Sequence, residues 1–408
     1  MNSGGFIMQN TRKITDDLYY VGGNDRKIRM FENILPISHG VSYNSYLLLD
    51  EKTCLLDTID QDVSRLFLEN VTYALSGRDL DYLVIHHMEP DHCYNINEIL
   101  LRYPNCKLVG NIQTFRYLKN FFPNLNTEGK EVLVKEGDIL DLGKHKLKFF
   151  MTPLVHWPEV MMSFDSTDGL LFTADAFGSF RALDGYLFND EIDPDTMWLD
   201  EARVYYTNIV GKYGVQVLNA FKKLPINDTK MILPLHGVIW RNNLEYILGK
   251  YKTWASYAYE KKGVMIVYGS MYGNSLNAAE VLASRLSENG VRNIEVFDVS
   301  ATDKDLLVSE AFRLSNIVLI SPTYNATMFP GIEEFITDIT RMNLQGRTFT
   351  LIQNGTWAPQ STRLMKEKLA AMKNLIFTPS ELTINSTLKD TDLVTMDKIV
   401  NEIKDSLK

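Results

Sequence analysis

The sequence predicts an α/β protein of two domains, with short strands and few helices in the front half and a doubly wound parallel sheet in the back half. The first observation is length: 408 residues exceed what one hydrophobic core usually serves. The second is a change of texture near Gly263, from short apolar runs separated by turn residues to regular strand–helix alternation. The third is where chemistry-bearing residues fall, at the ends of apolar runs in both halves, where sheet proteins gather their sites. The expected domains are residues 1–255 and 256–408. Their junction lies at residues 251–262, where Lys261-Lys262-Gly263 interrupts a polar, aromatic helix.

In the front half, residues 41–49, 54–57, 82–85 and 107–109 read as strands because they are short apolar runs separated by turn residues. The run at 82–85 feeds His87-Met88-Glu89-Pro90-Asp91-His92. Lys148-Phe149-Phe150 precedes His156, Leu170-Leu171-Phe172 precedes Asp175, and Met231-Ile232-Leu233 precedes His236. Loops leaving neighbouring strands converge on one sheet edge, so these residues are candidates for a two-metal centre. Imidazole with carboxylate suits zinc, iron or manganese and needs no cysteine.

A single histidine beside apolar residues is more often a hydrogen-bonded core residue than a ligand. Ligand-type residues that all sit at strand ends favour metal. Of the adjacent pair His86 and His87, which point to opposite faces of a strand, His87 opens the His-x-Glu-x-Asp-His spacing and His86 is assigned a structural role. His39 and His145 have no acidic or histidine neighbour at ligand spacing and are set aside.

Composition is ordinary for a globular protein, with 45% hydrophobic and 23% charged residues. A net charge of −9 without a basic run argues against nucleic acid as a partner. Cys54, Cys93 and Cys106 are odd in number and widely spaced, which excludes a disulfide framework and a Cys-x-x-Cys site. Cys93 adjoins His92 but supports the site rather than completing it. Residues 1–16 lack an apolar core of signal-peptide length and no run approaches 18 apolar residues, so a reducing cytoplasm and no membrane are expected.

The back half alternates strand and helix: strand 264–268, helix 274–288, strand 294–299, helix 304–313, strand 317–320, helix 332–341, strand 348–352, helix 362–372, strand 382–386 and helix 393–407. Five βα units fit a doubly wound parallel sheet, whose ligands bind beyond the carboxyl ends of the strands. Three loops there stand out. Ser270-Met271-Tyr272-Gly273-Asn274-Ser275 enters a helix, where backbone N–H groups hold a phosphate and the Ser270 and Ser275 hydroxyls add donors. Ser321-Pro322-Thr323-Tyr324-Asn325-Ala326 offers Tyr324 to a flat ring, and Asn354-Gly355-Thr356-Trp357 offers backbone groups and an aromatic face. Each loop alone is ordinary turn chemistry, whereas their placement after the first, third and fourth strands is specific. No Gly-x-Gly-x-x-Gly follows a strand, so a built-in NAD site is not expected.

The front-half residues resemble the metallo-β-lactamase superfamily, whose signature His-x-His-x-Asp-His departs here at Glu89. The added carboxylate favours redox iron over hydrolytic zinc. That replacement is characteristic of flavodiiron proteins, and the back half is similar to flavodoxins over nearly its whole length, with Tyr272 inside the phosphate loop. The resemblance spans the chain almost end to end and includes residues 39–46, His156-Trp157-Pro158-Glu159 and Asp175-Ala176-Phe177-Gly178. Cys93-Tyr94 stands where a Ser-Gly pair is common, and Leu235 precedes the last histidine.

The resemblance implies an N-terminal αββα sandwich and a C-terminal flavodoxin-like five-stranded sheet. It places one iron on His87, Glu89 and His156, the other on Asp91, His92 and His236, and Asp175 between them, with non-covalent FMN in the three back-half loops. The implied activity is an oxidoreductase that reduces dioxygen to water, nitric oxide to nitrous oxide, or both, as detoxification in an anaerobe or microaerophile. Electrons would come from an external donor such as rubredoxin or a reduced deazaflavin, since no rubredoxin-like cysteine pairs are present. Within one chain the flavin and irons would lie too far apart, and the implied answer is a head-to-tail homodimer or a dimer of such dimers. A zinc hydrolase carrying a flavodoxin-like domain, and a flavodoxin-like carrier with a degenerate front domain, are the alternatives. Glu89 speaks against the first and the complete ligand set against the second.

Overall fold

The computed structural model describes residues 9–408, so part of the 1–16 segment inspected for a leader lies outside the described residues. The chain forms two compact units. One comprises the chain up to Tyr206 together with Val215–Tyr251, and the other comprises Thr207–Gly214 with Lys252–Lys408. Helix Leu244–Ala255 ends before a left-handed residue, Tyr257 (φ 58), and Lys261-Lys262 then open strand Lys261–Tyr268. The Lys-Lys-Gly run therefore begins a strand instead of interrupting a helix. Its glycine is demanded by packing, since a Cβ on Gly263 would lie 2.6 Å from the Asn293 carbonyl oxygen.

In the first unit the described residues form a seven-stranded and a five-stranded sheet. The larger runs in the order Arg12–Lys13, Leu18–Tyr20, Tyr46–Leu49, Thr53–Leu56, Tyr82–Val84, Lys107–Gly110, Glu131–Leu133. The smaller runs Ile139–Asp141, Lys146–Met151, Met161–Asp165, Leu170–Phe172, Met231–Leu233. The inner faces meet through rings, Tyr46 of one sheet lying 5.7 Å from Phe172 of the other, centroid to centroid.

The segment expected as one strand over 41–49 is two, Val41–Tyr43 and Tyr46–Leu49. Asn44 and Ser45 break it because their side chains satisfy buried carbonyls. Asn44 Nδ2 donates to Pro234 O and Gly237 O at 2.9 Å each, and Ser45 Oγ donates to Asp57 O at 2.9 Å. The same bonds tie the first sheet to the loop that carries His236.

In the second unit the parallel sheet has the order Ile294–Asp298, Lys261–Tyr268, Leu314–Tyr324, Thr348–Asn354, continued by Ile376–Phe377 and Leu382–Ile384 along the last strand. Strand alternation divides its core. Val264, Ile266, Val318, Ile320 and Ile352 pack with helices Asn274–Glu288 and Asp390–Ser406 on one face. Met265, Val267, Ile317, Leu319 and Leu351 pack with Lys304–Arg313, Pro330–Arg341 and Ser361–Leu369 on the other. A sheet covered on both faces explains why these strands read as continuous apolar runs. Among the described residues no helix is long and apolar enough to cross a membrane.

Candidate functional site

The first unit assembles its site from four strand ends. After strand Tyr82–Val84 the chain bends at His86, Glu89 is extended (φ −66, ψ 143), and Pro90 starts the one-turn helix Pro90–Cys93 that presents Asp91 and His92. Asp57, just past strand Thr53–Leu56, clamps this loop. Its Oδ1 accepts the His86 and His87 amides at 2.7 and 3.3 Å, and its Oδ2 meets His86 Nδ1 at 2.6 Å. His86 Nε2 in turn reaches Ser163 Oγ at 2.8 Å, so His86 is spent on structure and His87 faces the site. Left-handed residues Leu154 (φ 64) and Ala174 (φ 50) precede the other ligand loops, and Gly237 (φ 75) follows His236. Conformations of this kind persist only where surrounding bonds over-determine them.

Seven buried side chains meet there. Ligand atoms of His87, Glu89, His156 and Asp175 form one group within 4.8 Å of one another, and those of Asp91, His92 and His236 form a second. Asp175 faces both. Its Oδ2 lies 3.0 Å from His156 Nε2 and 3.5 Å from His87 Nε2, while its Oδ1 lies 3.0 Å from His92 Nε2 and 3.8 Å from His236 Nε2. Glu89 Oε2 stands 3.1 Å from both His87 and His156. Asp91 Oδ2 stands 3.3 Å from His92 and 3.4 Å from His236.

The remaining ring nitrogens set the tautomers. His236 Nδ1 donates to Ser42 O at 2.8 Å, and His87 Nδ1 donates to Glu159 Oε1 at 2.7 Å, which leaves both Nε2 lone pairs inward. Burial alone would favour the neutral forms throughout. Instead His92 and His87 hold the buried Asp175 well below the usual carboxylate range, and His156 and His87 do the same for Glu89. In return the carboxylates overcome burial and push His92 and His156 up to about 9. The set fits metal. Neither oxygen of Asp91 has a hydrogen-bond partner, and His92 Nε2 and His236 Nε2 face each other at 3.1 Å. Uncompensated buried polar groups of this kind are costly, and a shared cation offsets the cost.

The second unit holds a cavity of about 360 Å³ at the carboxyl ends of its parallel strands. It is lined by Ser270, Met271, Tyr272, Asn274 and Ser275, then Pro322–Ala326, then Asn354–Trp357. Helix Asn274–Glu288 begins after Gly273 (φ 87); the Leu276 amide donates to Ser270 Oγ at 3.4 Å, which leaves the Asn274 and Ser275 amides ahead of it to face an anion. Gly273 N donates to Ser270 Oγ at 3.1 Å, shaping that turn. Tyr272, Tyr324 and Trp357 are 90, 40 and 75% exposed, aromatic faces around an open cradle.

A family model described as ODP family beta lactamase matches residues 41–237. The anaerobic nitric oxide reductase flavorubredoxin of Escherichia coli O1:K1 is 31% identical over 353 residues, covering 85% of this chain and 72% of that protein. Its counterpart in Klebsiella pneumoniae is 30% identical over the same coverage. Among solved structures, rubredoxin oxygen:oxidoreductase from Desulfovibrio gigas superposes with a TM-score of 0.91 at 26% identity, covering 98% of each chain. The flavodiiron protein of Giardia intestinalis shares the fold with a TM-score of 0.89 at 22% identity, over 97% of this chain and 96% of that one.

The chain belongs to the flavodiiron family. Read as a flavodiiron chain, its seven expected metal residues are all brought together. Of the sixteen cradle residues, Gly273 shapes the helix start, and Ser321 proves to be a strut beneath the cavity. Ser321 Oγ accepts the Phe329 amide at 3.0 Å, and its carbonyl accepts Ser361 Oγ at 2.8 Å. The segment 322–324 is the end of strand Leu314–Tyr324 and turns back through Asn325-Ala326 into Thr327–Met328. Sequence reasoning missed Ser386, whose hydroxyl lies 2.5 Å from Thr356 Oγ1 and which lines the same cavity. It also missed Asp57 and Glu159. A strand-end carboxylate was the available signal for Asp57, whereas Glu159 stood in a segment already singled out but had no assigned partner. Glu32, in the Glu32-Asn33 turn of hairpin Met30–Phe31 to Leu35–Pro36, is a further addition: desolvation and then Glu89 push its carboxyl up to about 8.

Proposed function

We propose that this chain is an oxidoreductase that reduces dioxygen to water, nitric oxide to nitrous oxide, or both, at a diiron site fed by FMN. The observation that carries the reading is Asp175, one carboxylate whose two oxygens address two separate histidine groups. His87, Glu89 and His156 would hold one iron, Asp91, His92 and His236 the other, and Asp175 would link them. The cavity at Ser270–Ser275, Pro322–Ala326, Asn354–Trp357 and Ser386 would hold FMN, its phosphate at the open start of helix Asn274–Glu288.

When bound, the irons and flavin supply four electrons for dioxygen and two for a pair of nitric oxide molecules. The protein's part is to position and exclude. Asp57 fixes the loop that presents His87 to His92, Ser42 and Glu159 fix ring tautomers, and burial keeps bulk water from the ligand atoms. The electron donor would be a separate rubredoxin-like protein or a reduced deazaflavin, and a head-to-tail homodimer would bring one chain's flavin to its partner's irons. Three buried, unpaired cysteines support a reducing compartment such as the cytoplasm.

Protein loaded anaerobically is expected to carry about two irons and one extractable FMN per chain and to consume dioxygen or nitric oxide when given reduced rubredoxin. Stoichiometric zinc in the presence of ample iron, with no yellow chromophore, would overturn the reading.

A further inference from the structure

The two halves of the metal centre are supported unequally. His87 donates from Nδ1 to Glu159 Oε1 at 2.7 Å, and both side chains are fully buried. The same oxygen accepts the Met88 amide at 2.9 Å, while Glu159 Oε2 has no hydrogen-bond partner, so the histidine and one backbone amide are what offset the charge of this carboxylate. Asn111 anchors the residue from behind by donating to its backbone carbonyl at 2.6 Å. The other half has nothing equivalent. His236 Nδ1 meets only the neutral Ser42 carbonyl, and His92 Nδ1 has no partner. Around His87 two carboxylates, Glu89 and Glu159, belong to one half, against Asp91 alone for the other, with Asp175 shared.

A buried carboxylate hydrogen-bonded to the far side of a ligating imidazole fixes the tautomer and raises the donor strength of the ring. A neutral carbonyl does so less. Unscreened negative charge also stabilises the higher-charged form of a nearby cation. We infer that Glu159 is a positioning residue that makes the two irons inequivalent, so that the iron in the His87, Glu89 and His156 half is the harder to reduce and the one beside Asp91, His92 and His236 accepts the first electron. This rests on the diiron reading.

The test is a redox titration of the iron- and FMN-loaded protein, with dithionite as reductant and small-molecule mediators, followed by electron paramagnetic resonance of the half-reduced pair. Glu159→Gln keeps an acceptor for His87 Nδ1 and the Met88 amide but removes the charge. With two irons still bound, its equilibrium constant for forming the half-reduced pair is expected to fall about tenfold, the change that 59 mV represents for one electron. Glu159→Asp, which keeps the charge, is expected to retain most of the wild-type value. Glu159→Leu, which removes the acceptor, is expected to lose iron from one half first, leaving about one iron per chain. A half-reduced population that is the same in wild type and Glu159→Gln overturns the inference, as does parallel loss of both irons in every variant, which marks a purely structural role. Wild-type protein that takes up no iron pair overturns the diiron reading itself, a result separable from an iron pair indifferent to Glu159.

Discussion

Asp175 is the residue on which the centre turns, because its two oxygens face different histidine groups and no other side chain there does so. Asp175→Ala is expected to lose most of the iron while keeping flavin at wild-type stoichiometry, since the proposed flavin cavity is built wholly from the second unit. Metal analysis beside the visible spectrum checks this, and full iron with full turnover in that variant contradicts the linking role. A second residue-scale prediction concerns His145, which sequence spacing left without acidic neighbours. Folding gives it two, Asp165 at 3.0 Å from Nδ1 and Asp17 at 3.1 Å from Nε2. Hydrogen bonding to Asp165, opposed by burial and then aided by Asp17, pushes it up to about 9. A histidine raised in the folded state stabilises fully below its unfolded value near 6.5, and that contribution disappears as pH climbs through about 9. The stability gap between wild type and His145→Gln should therefore be larger at pH 6 than at pH 10 by on the order of 2 kcal/mol, read from urea unfolding at each pH. A gap that is flat across this range refutes the ion pair. The seven candidate metal residues were legible because their types and their places at strand ends can be read locally. Glu159 and the acids around His145 were not, because their partners are chosen by strand pairing.

Elements place these residues with little freedom. Helices Asn274–Glu288 and Lys304–Arg313 were readable from their apolar period and the turn residues before them. The split at Asn44-Ser45 was not, since an inward polar pair inside an apolar run declares itself only through the carbonyls it meets. The run Lys261-Lys262-Gly263 misled for a related reason: the glycine that signals a break in a helix here answers a close approach between strand and turn. Gly237 shows what an element can demand. It adopts φ 75, its amide donates to Ser42 Oγ at 2.7 Å, and a Cβ there would lie 2.2 Å from Ser179 Oγ. Gly237→Ala should cost about 1–3 kcal/mol in strain and shift the adjacent His236. Faster loss of iron to a chelator, at unchanged flavin content, is the expected signature. A chelation rate equal to wild type would show that the loop tolerates the side chain.

At the scale of the whole molecule, the fold and the two candidate sites were legible because each half declares its own period and its own loop chemistry. The preference between dioxygen and nitric oxide was not, because both substrates call on the same ligand residues. The remaining whole-molecule question is which flavin serves which iron pair, and two inactive variants answer it. His87→Ala breaks a metal site and leaves the cavity of the second unit intact. Replacing Ser270 and Gly273 with bulky residues blocks the phosphate turn, where Gly273 holds φ 87 at the helix start, and leaves the metal residues intact. In the proposed homodimer neither variant alone can pass electrons from flavin to iron. After random reassortment half of the dimers are mixed, and in a head-to-tail arrangement each mixed dimer has one working flavin facing one working iron pair out of two. About a quarter of wild-type activity should then return, taking the two pairs as independent. Transfer within a chain predicts no recovery, because the chain with intact iron is the one without flavin. Activity that stays at background in confirmed mixed dimers therefore removes the head-to-tail arrangement, and recovery near a quarter leaves no route except across the interface.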